Sequence, residues 1–238
     1  MDSSFAISQN GIYAGDIRQN TIANNLANLT TDGFRSVLVD QATLMEQGTR
    51  VNGLHEDLIT VGAPRQTGQD THFMIDGEGF FQVQAAGGIA YTRSGNFTVD
   101  SNGQLVNPSG YIVEPGVTVP EEALAIRVSV DGSVFAQMSD GSAPQIGQLE
   151  IARFVNPSGL TSIGDNLYLE SVESGPATIG TPTSDGLGSV RQFMVEGSNV
   201  DPSTELTQLL VNQRYQQFNL RVFQTTDALV GRAMDLFS

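Results

Sequence analysis

Residues 201–238, DPSTELTQLLVNQRYQQFNLRVFQTTDALVGRAMDLFS, decide the architecture. Asp201-Pro202 followed by Ser203, Thr204 and Glu205 is a helix start: a capping oxygen, a proline suited to the first turn, and an acid close behind. Val211, Tyr215, Phe218, Val222, Thr225 and Leu229 then follow at alternating steps of four and three. A mean step of about 3.5 residues is the seam of a coiled coil. Leu206, Leu209 and Leu210 widen that stripe at its start. Beyond Pro202 the segment has no proline and one glycine, Gly231, so a single long helix is predicted.

The opening of the chain carries a second helix. Phe5 and Ile12 lie seven apart, and Ile22, Leu26 and Leu29 follow at four and three. Gly33 sits where a helix C-terminal stop with positive φ is needed. Both apolar stripes are narrow, and neither helix is stable alone in water. Each needs a partner.

Between them the periodicity changes to two. Phe80–Gln84, Tyr91–Arg93, Asn96–Val99 and Gln104–Val106 read as short strands, with Asn102-Gly103 as a hairpin turn. Ile126, Val128 and Val130 alternate with polar or small residues, and Asp131-Gly132 turns the chain into Ser133–Phe135. Further strands are predicted at Leu149–Phe154, Leu167–Leu169 and Gln192–Val195. Short strands with regular turns indicate an antiparallel sheet or barrel-like domain. The predicted fold is therefore α+β. Residues 1–36 and 200–238 form a discontinuous helical domain whose helices pair like a coiled coil. Residues 37–70 connect it to an inserted, antiparallel β-domain at 71–199.

Composition narrows function. An apolar fraction of 39% with 16% charged residues supports a packed core. A net charge of −15 argues against general binding to nucleic acid or an anionic membrane. Cysteine is absent, which removes disulfides, thiol nucleophiles and Cys-ligated metals. All eleven bases are arginine, so Schiff-base and P-loop lysine chemistry is excluded. No apolar run approaches bilayer-spanning length, so membrane insertion is not expected. The first twenty residues lack the basic and apolar regions of a Sec signal.

Catalytic readings find little support. Asp76 and Glu78 flank Gly77, but they read as acids of a surface turn rather than a glycosidase pair. Asp131-Gly132-Ser133 and Asp140-Gly141-Ser142 lack the ligand spacing of a calcium loop. His55 and His72 are isolated and read as exposed. No catalytic, cofactor or metal site is predicted.

The run Ile22-Ala-Asn24-Asn25-Leu26-Ala-Asn28-Leu29-Thr-Thr-Asp-Gly33-Phe34-Arg35 resembles the N-terminal signature of the axial proteins of the bacterial flagellum. Gly77-Glu78-Gly79-Phe80-Phe81, Tyr91–Phe97 and Asn102–Val106 are similar to the first hairpins of rod and hook proteins. Leu160–Tyr168 and Val195–Val200 resemble the end of the β-domain in the same family. Rod proteins, the distal type first, match best; a proximal rod or hook-like member is the alternative.

The resemblance implies export through the flagellar type III apparatus without a Sec signal and a place in the extracytoplasmic basal body. It also implies helical assembly with copies of itself and with other rod and hook proteins. On that reading the interface comprises Ile22, Asn24, Asn25, Leu26, Asn28, Leu29, Gly33, Phe34, Val211, Tyr215, Phe218, Val222 and Leu229. The C-terminal stripe is expected to face Ile22, Leu26 and Leu29 of the same chain plus a neighbour. The Asn residues, poor helix formers, are read as satisfying backbone groups where helices end and cross, rather than as exposed polar positions. Phe34 is read as an anchor onto the assembled tube. A different class, a periplasmic binding module or adhesin built on the β-domain, leaves the two interface-hungry ends unexplained.

Overall fold

A computed structural model describes residues 2–44 and 48–236. The chain forms two units: Met1–Leu29, Ser36–Asp57 and Val200–Ser238 in one, Thr30–Arg35 and Leu58–Asn199 in the other. These borders differ from those read in the sequence. Most of the predicted connector joins the helices, and a short peptide before it joins the β-unit.

The helical unit contains α1 (Asp2–Ala27), α2 (Pro202–Leu236) and a hairpin of β1 (Val37–Leu44) and β2 (Gly48–Glu56). α2 starts as its sequence predicts. The Asp201 carboxylate accepts the Ser203 and Thr204 amides at 3.1 and 3.2 Å, with Pro202 opening the first turn. α1 ends earlier than predicted. Asn28 closes it, its amide and side chain both donating to the Asn24 carbonyl. The hairpin escaped the sequence reading because a register shift between Asp40 and Gln41 breaks the alternation of its first strand.

The β-unit strands are β3 (Pro64–Gln66), β4 (Phe73–Asp76), β5 (Phe80–Ala85), β6 (Gly88–Thr92), β7 (Thr98–Val99), β8 (Leu105–Val106), β9 (Ile112–Glu114), β10 (Ala123–Val128), β11 (Ser133–Met138), β12 (Gln145–Gln148), β13 (Ile151–Arg153), β14 (Thr161–Gly164), β15 (Leu167–Leu169), β16 (Thr178–Gly180), β17 (Ser189–Gln192) and β18 (Met194–Glu196). The largest sheet runs β14-β15-β6-β5-β9-β8-β7, with β13 joining β5 and β16. β10-β11-β12, β17-β4 and β18-β3 form smaller antiparallel sheets. The glycine turns fall where predicted, with φ of +77° at Gly103 and +84° at Gly132. The run predicted at 192–195 is broken. Phe193 adopts φ +67°, and the chain changes partner strand there, from β4 to β3.

β5 is covered on both faces. Phe81 and Val83 pack with Phe73, Phe97, Leu105 and Ile151. Phe80, on the other face, packs with Tyr91, Phe154 and Tyr168. The aromatic rings meet edge-on, Phe81 on Phe97 at 5.2 Å and Tyr91 against Phe154 at 4.8 Å.

A charged cluster lies inside this unit. The Arg35 and Glu196 side chains are 1% and 0% exposed and 2.5 Å apart, and Arg93 approaches the other carboxylate oxygen at 3.5 Å. The Gly62 amide donates to Glu196 Oε1 at 3.0 Å; Arg35 also donates to the Thr60 carbonyl. Arg93 donates to the Gly77 carbonyl at 2.9 Å and lies over the Phe80 ring. Burial pushes the Arg93 guanidinium down to about 10, against the opposing pull of Glu196, so it stays charged at neutral pH. Beside this cluster the Gly33 amide donates to the Glu196 carbonyl at 2.7 Å. Gly33 has φ +68°, and a Cβ there would stand 2.5 Å from the Ser94 nitrogen. Gly33 is thus required by the β-unit, six residues beyond the end of α1, and is not the helix stop.

Candidate functional site

α1 and α2 run antiparallel: Asn25 meets Glu205, Gly15 meets Asn212, and Gly11 meets Asn219. The α2 side of this contact is polar. Glu205, Asn212 and Asn219 are buried and lie seven apart, so they share one helix face. The α1 side is small: Ser8, Gly11, Ala14 and Gly15 are all buried. Missing Cβ atoms let the backbones approach. A Cβ on Gly11 would stand 2.7 Å from Asn219 Nδ2, and one on Gly15 2.8 Å from Gln216 Cγ. Asn212 Nδ2 uses the closeness to donate to the Gly15 carbonyl at 2.8 Å.

Asn25, 1% exposed, ties the unit together. Its amide nitrogen donates to Glu205 Oε1 at 2.9 Å and to the Val37 carbonyl at 3.0 Å, and its oxygen accepts the Val37 amide at 2.9 Å. One side chain thereby joins α1, α2 and the first residue of the hairpin. Farther along, Arg18 lies over the Tyr215 ring, and Thr49 of β2 shares a hydrogen bond with the Tyr215 hydroxyl at 3.2 Å. α1, β1 and α2 line a groove of about 580 Å³ that includes Ile22, Asn25, Val37, Glu205 and Val211.

The expected apolar seam is therefore corrected. Val211 and Phe218 come one residue before Asn212 and Asn219, which puts them roughly 100° around the helix. They are 61% and 64% exposed, and Leu229 is 63% exposed. Tyr215 and Val222, at the border of the two faces, are half-buried. On α1, Ile22 is buried, Leu26 half-buried and Asn24 exposed; beyond its end Asn28 and Leu29 are half-buried. Gly33 and Phe34 belong to the other unit, where the Phe34 carbonyl accepts the Asn199 amide at 3.3 Å. Phe5 lies in α1, its side chain outside the described residues.

The acids and histidines weighed in the sequence have local roles. Asp76 pairs with Arg191 at 2.5 Å, and Glu78 stands 3.9 Å from Arg153. Asp131 and Asp140 accept the amides of Ser133 and Ser142 in their own turns. His55 is exposed. His72 is half-buried against the Thr67 hydroxyl at 3.0 Å, and burial lowers its pKa. No described helix is long and apolar enough to cross a membrane.

Two features escaped the sequence reading: the polar ladder of α2 and the Arg35–Glu196–Arg93 cluster. The ladder had a signal, the seven-residue spacing of Glu205, Asn212 and Asn219 together with the Gly11–Gly15 pair. The cluster had none, since Arg35 and Glu196 stand 161 positions apart.

Residues 6–35 match the family described as flagella basal body rod protein. Residues 74–136 match the flagellar hook protein FlgE/F/G D1 domain, and 191–236 the flagellar basal body rod FlgEFG protein C-terminal region. The chain is 36% identical to flagellar basal-body rod protein FlgG of Buchnera aphidicola subsp. Schizaphis graminum, with 99% of this chain and all of that one covered. It is 34% identical to FlgG of Borreliella burgdorferi, with 95% of each chain covered. Flagellar basal-body rod protein FlgF of Caulobacter vibrioides is 32% identical over 95% of this chain and 97% of that one. Three ordered family segments and relatives aligned end to end, in a chain with one helical and one antiparallel β-unit, identify the chain as a member of the flagellar basal-body rod protein family, which is structural rather than enzymatic.

Proposed function

We propose that this chain is a structural subunit of the flagellar basal-body rod, of the distal type, and that it polymerises helically into the torque-transmitting shaft. The distal assignment rests on similarity to relatives named FlgG from several bacteria, at 32–36% identity over 90–99% of the chain. The observation that carries the assembly mode is the apolar face of α2. With the polar ladder turned toward α1, Leu210, Val211, Phe218 and Leu229 remain exposed along one long helix. Scattered exposed apolar residues are ordinary, but Val211, Phe218 and Leu229 fall within about 20° of one line along the helix, and such a row marks a protein contact. A neighbouring subunit covers that row, and burying each large side chain contributes about 1.5–3 kcal/mol to association. In a helical array the subunit presents two different complementary faces, so the contact does not close on itself. The neighbours are copies of this chain and adjoining rod and hook proteins, reached after passage through the type III export apparatus to an extracytoplasmic basal body.

Phe218→Asp tests the reading. The side chain touches solvent, so stability stays within about 0.5 kcal/mol of the parent and the circular dichroism spectrum is unchanged. A charge buried in the inter-subunit contact abolishes rod assembly, seen by electron microscopy of basal bodies from a strain carrying the variant. Normal rods and normal swimming with this variant would refute the assignment of that face.

A further inference from the structure

β10 is the outer strand of the β10-β11-β12 sheet; among the described residues no strand pairs with its free side. Its residues, Ala123-Leu-Ala-Ile-Arg-Val128, are apolar but for one arginine, and Leu124 stands 72% exposed. A bare edge of this kind is a template on which another chain adds a strand. Here the amide and carbonyl of Ile126 and the amide of Val128 are occupied by side chains. The carboxamide of Gln192 accepts the Val128 amide at 3.0 Å and donates to the Ile126 carbonyl at 2.7 Å. Those are the two bonds that one residue of a parallel strand would make around Arg127. Asp70 Oδ2 takes the Ile126 amide at 3.2 Å, and the Asp70 carbonyl holds the Gln192 nitrogen at 2.6 Å.

We infer that Gln192 and Asp70 form an edge guard, which satisfies the open side of β10 and denies it to strands of other copies. A carboxamide can end a ladder but cannot extend one. The backbone supports the device. Gln192 is the last residue of β17, its main chain paired with Phe73 of β4, and the left-handed Phe193 then turns the chain into β18. β17 runs beside the end of β10, its Val190 amide donating to the Val130 carbonyl at 3.1 Å, and alongside Ile126–Val128 the Gln192 side chain reaches across. The need follows from the function proposed above: subunits crowd together during assembly, and strand addition at β10 would compete with ordered contact through the helices.

The test uses the full chain carrying Phe218→Asp, so that helix-face assembly is blocked and any growth in mass has another origin. Gln192→Met keeps the side-chain volume and removes both hydrogen-bonding groups. Three readings are taken: amide exchange at Val128, mass by light scattering, and thioflavin T binding. The guard predicts exchange at Val128 faster by about tenfold, the worth of one hydrogen bond. It also predicts growth in mass with dye binding, and a return to the parent mass when Leu124→Lys adds an edge charge while exchange stays fast. A Gln192→Met protein that keeps the parent mass overturns the inference. So does growth that Leu124→Lys leaves unchanged, since that is unfolding and not edge pairing.

Discussion

The contact between α1 and α2 and the interior of the β-unit solve the same problem with opposite materials. The β-unit buries aromatic and branched side chains around β5 and seals an Arg–Glu–Arg cluster beside them. The helices meet through Glu205, Asn212 and Asn219 on one side and glycine, alanine and serine on the other. Apolar burial is strong and indifferent to register; paired polar groups add little net stability but tolerate few alignments. The β-unit is thus built for strength and the helix pair for position. Holding the helices through the Asn25–Glu205 and Asn212–Gly15 hydrogen bonds also leaves Val211, Phe218 and Leu229 of α2 exposed, the row proposed above as the assembly face.

The comparison is broken most severely at Glu196. Replacing it with alanine leaves two arginines buried without their counter-charge, and a lost partner in such a pair costs about 3–5 kcal/mol. Thermal unfolding followed by tyrosine near-ultraviolet signal should show the β-unit transition falling by many degrees, while helical signal at 222 nm is retained below it. A variant that melts like the parent would show that the cluster adds nothing to the interior.

Asn25→Leu probes the opposite side and should act on the helical unit first. It strands the amide and carbonyl of Val37 and one Glu205 oxygen, at about 1–3 kcal/mol for an unsatisfied buried group. Chemical denaturation read at 222 nm should shift to a lower midpoint, with the β-unit transition unchanged. Equal shifts in both would mean that the two units do not unfold separately.

The mildest perturbation is at Asp201. The Thr204 hydroxyl and then the Ser203 and Thr204 amides hold its carboxyl below the ordinary 3.8. Because the folded pKa is the lower one, the cap's stabilisation is complete above 3.8 and is lost as pH falls through 3.8 to the folded value. Asp201→Asn keeps a capping oxygen but no titration. Its helical signal between about pH 6 and about pH 2 should decline less than that of the parent. Identical curves would assign the acid loss to other carboxylates.

Legibility followed distance along the chain. The start of α2, the turns at Gly103 and Gly132, and the strands at Phe80, Leu105 and Leu167 were readable because each signal spans a few neighbouring residues. The period of α2 places Val211, Phe218 and Leu229 in one row, but the expected packing of that row on Ile22, Leu26 and Leu29 of the same chain is overturned by their exposure. The period reveals that Val211 and Phe218 share a face; nothing in that period says whether the face turns toward α1 or away. Asn25 serves backbone groups at Val37, as its residue type suggests, but its bond to Glu205 crosses 180 positions and has no local signature. In sequence Gly33 looks like a helix stop because glycine serves both purposes, and the distinction rests on Ser94, far away along the chain.

Local chemistry was enough to establish two terminal helices around an antiparallel β-unit, since caps, periodicity and turn residues act within a few positions. Which helix face is buried, where the units divide, and which arginines share Glu196 were settled only on folding. Burial rewards long-range pairing: a charge or amide removed from water gains most from a partner in space, and Glu196 and Asn25 find theirs far away along the chain.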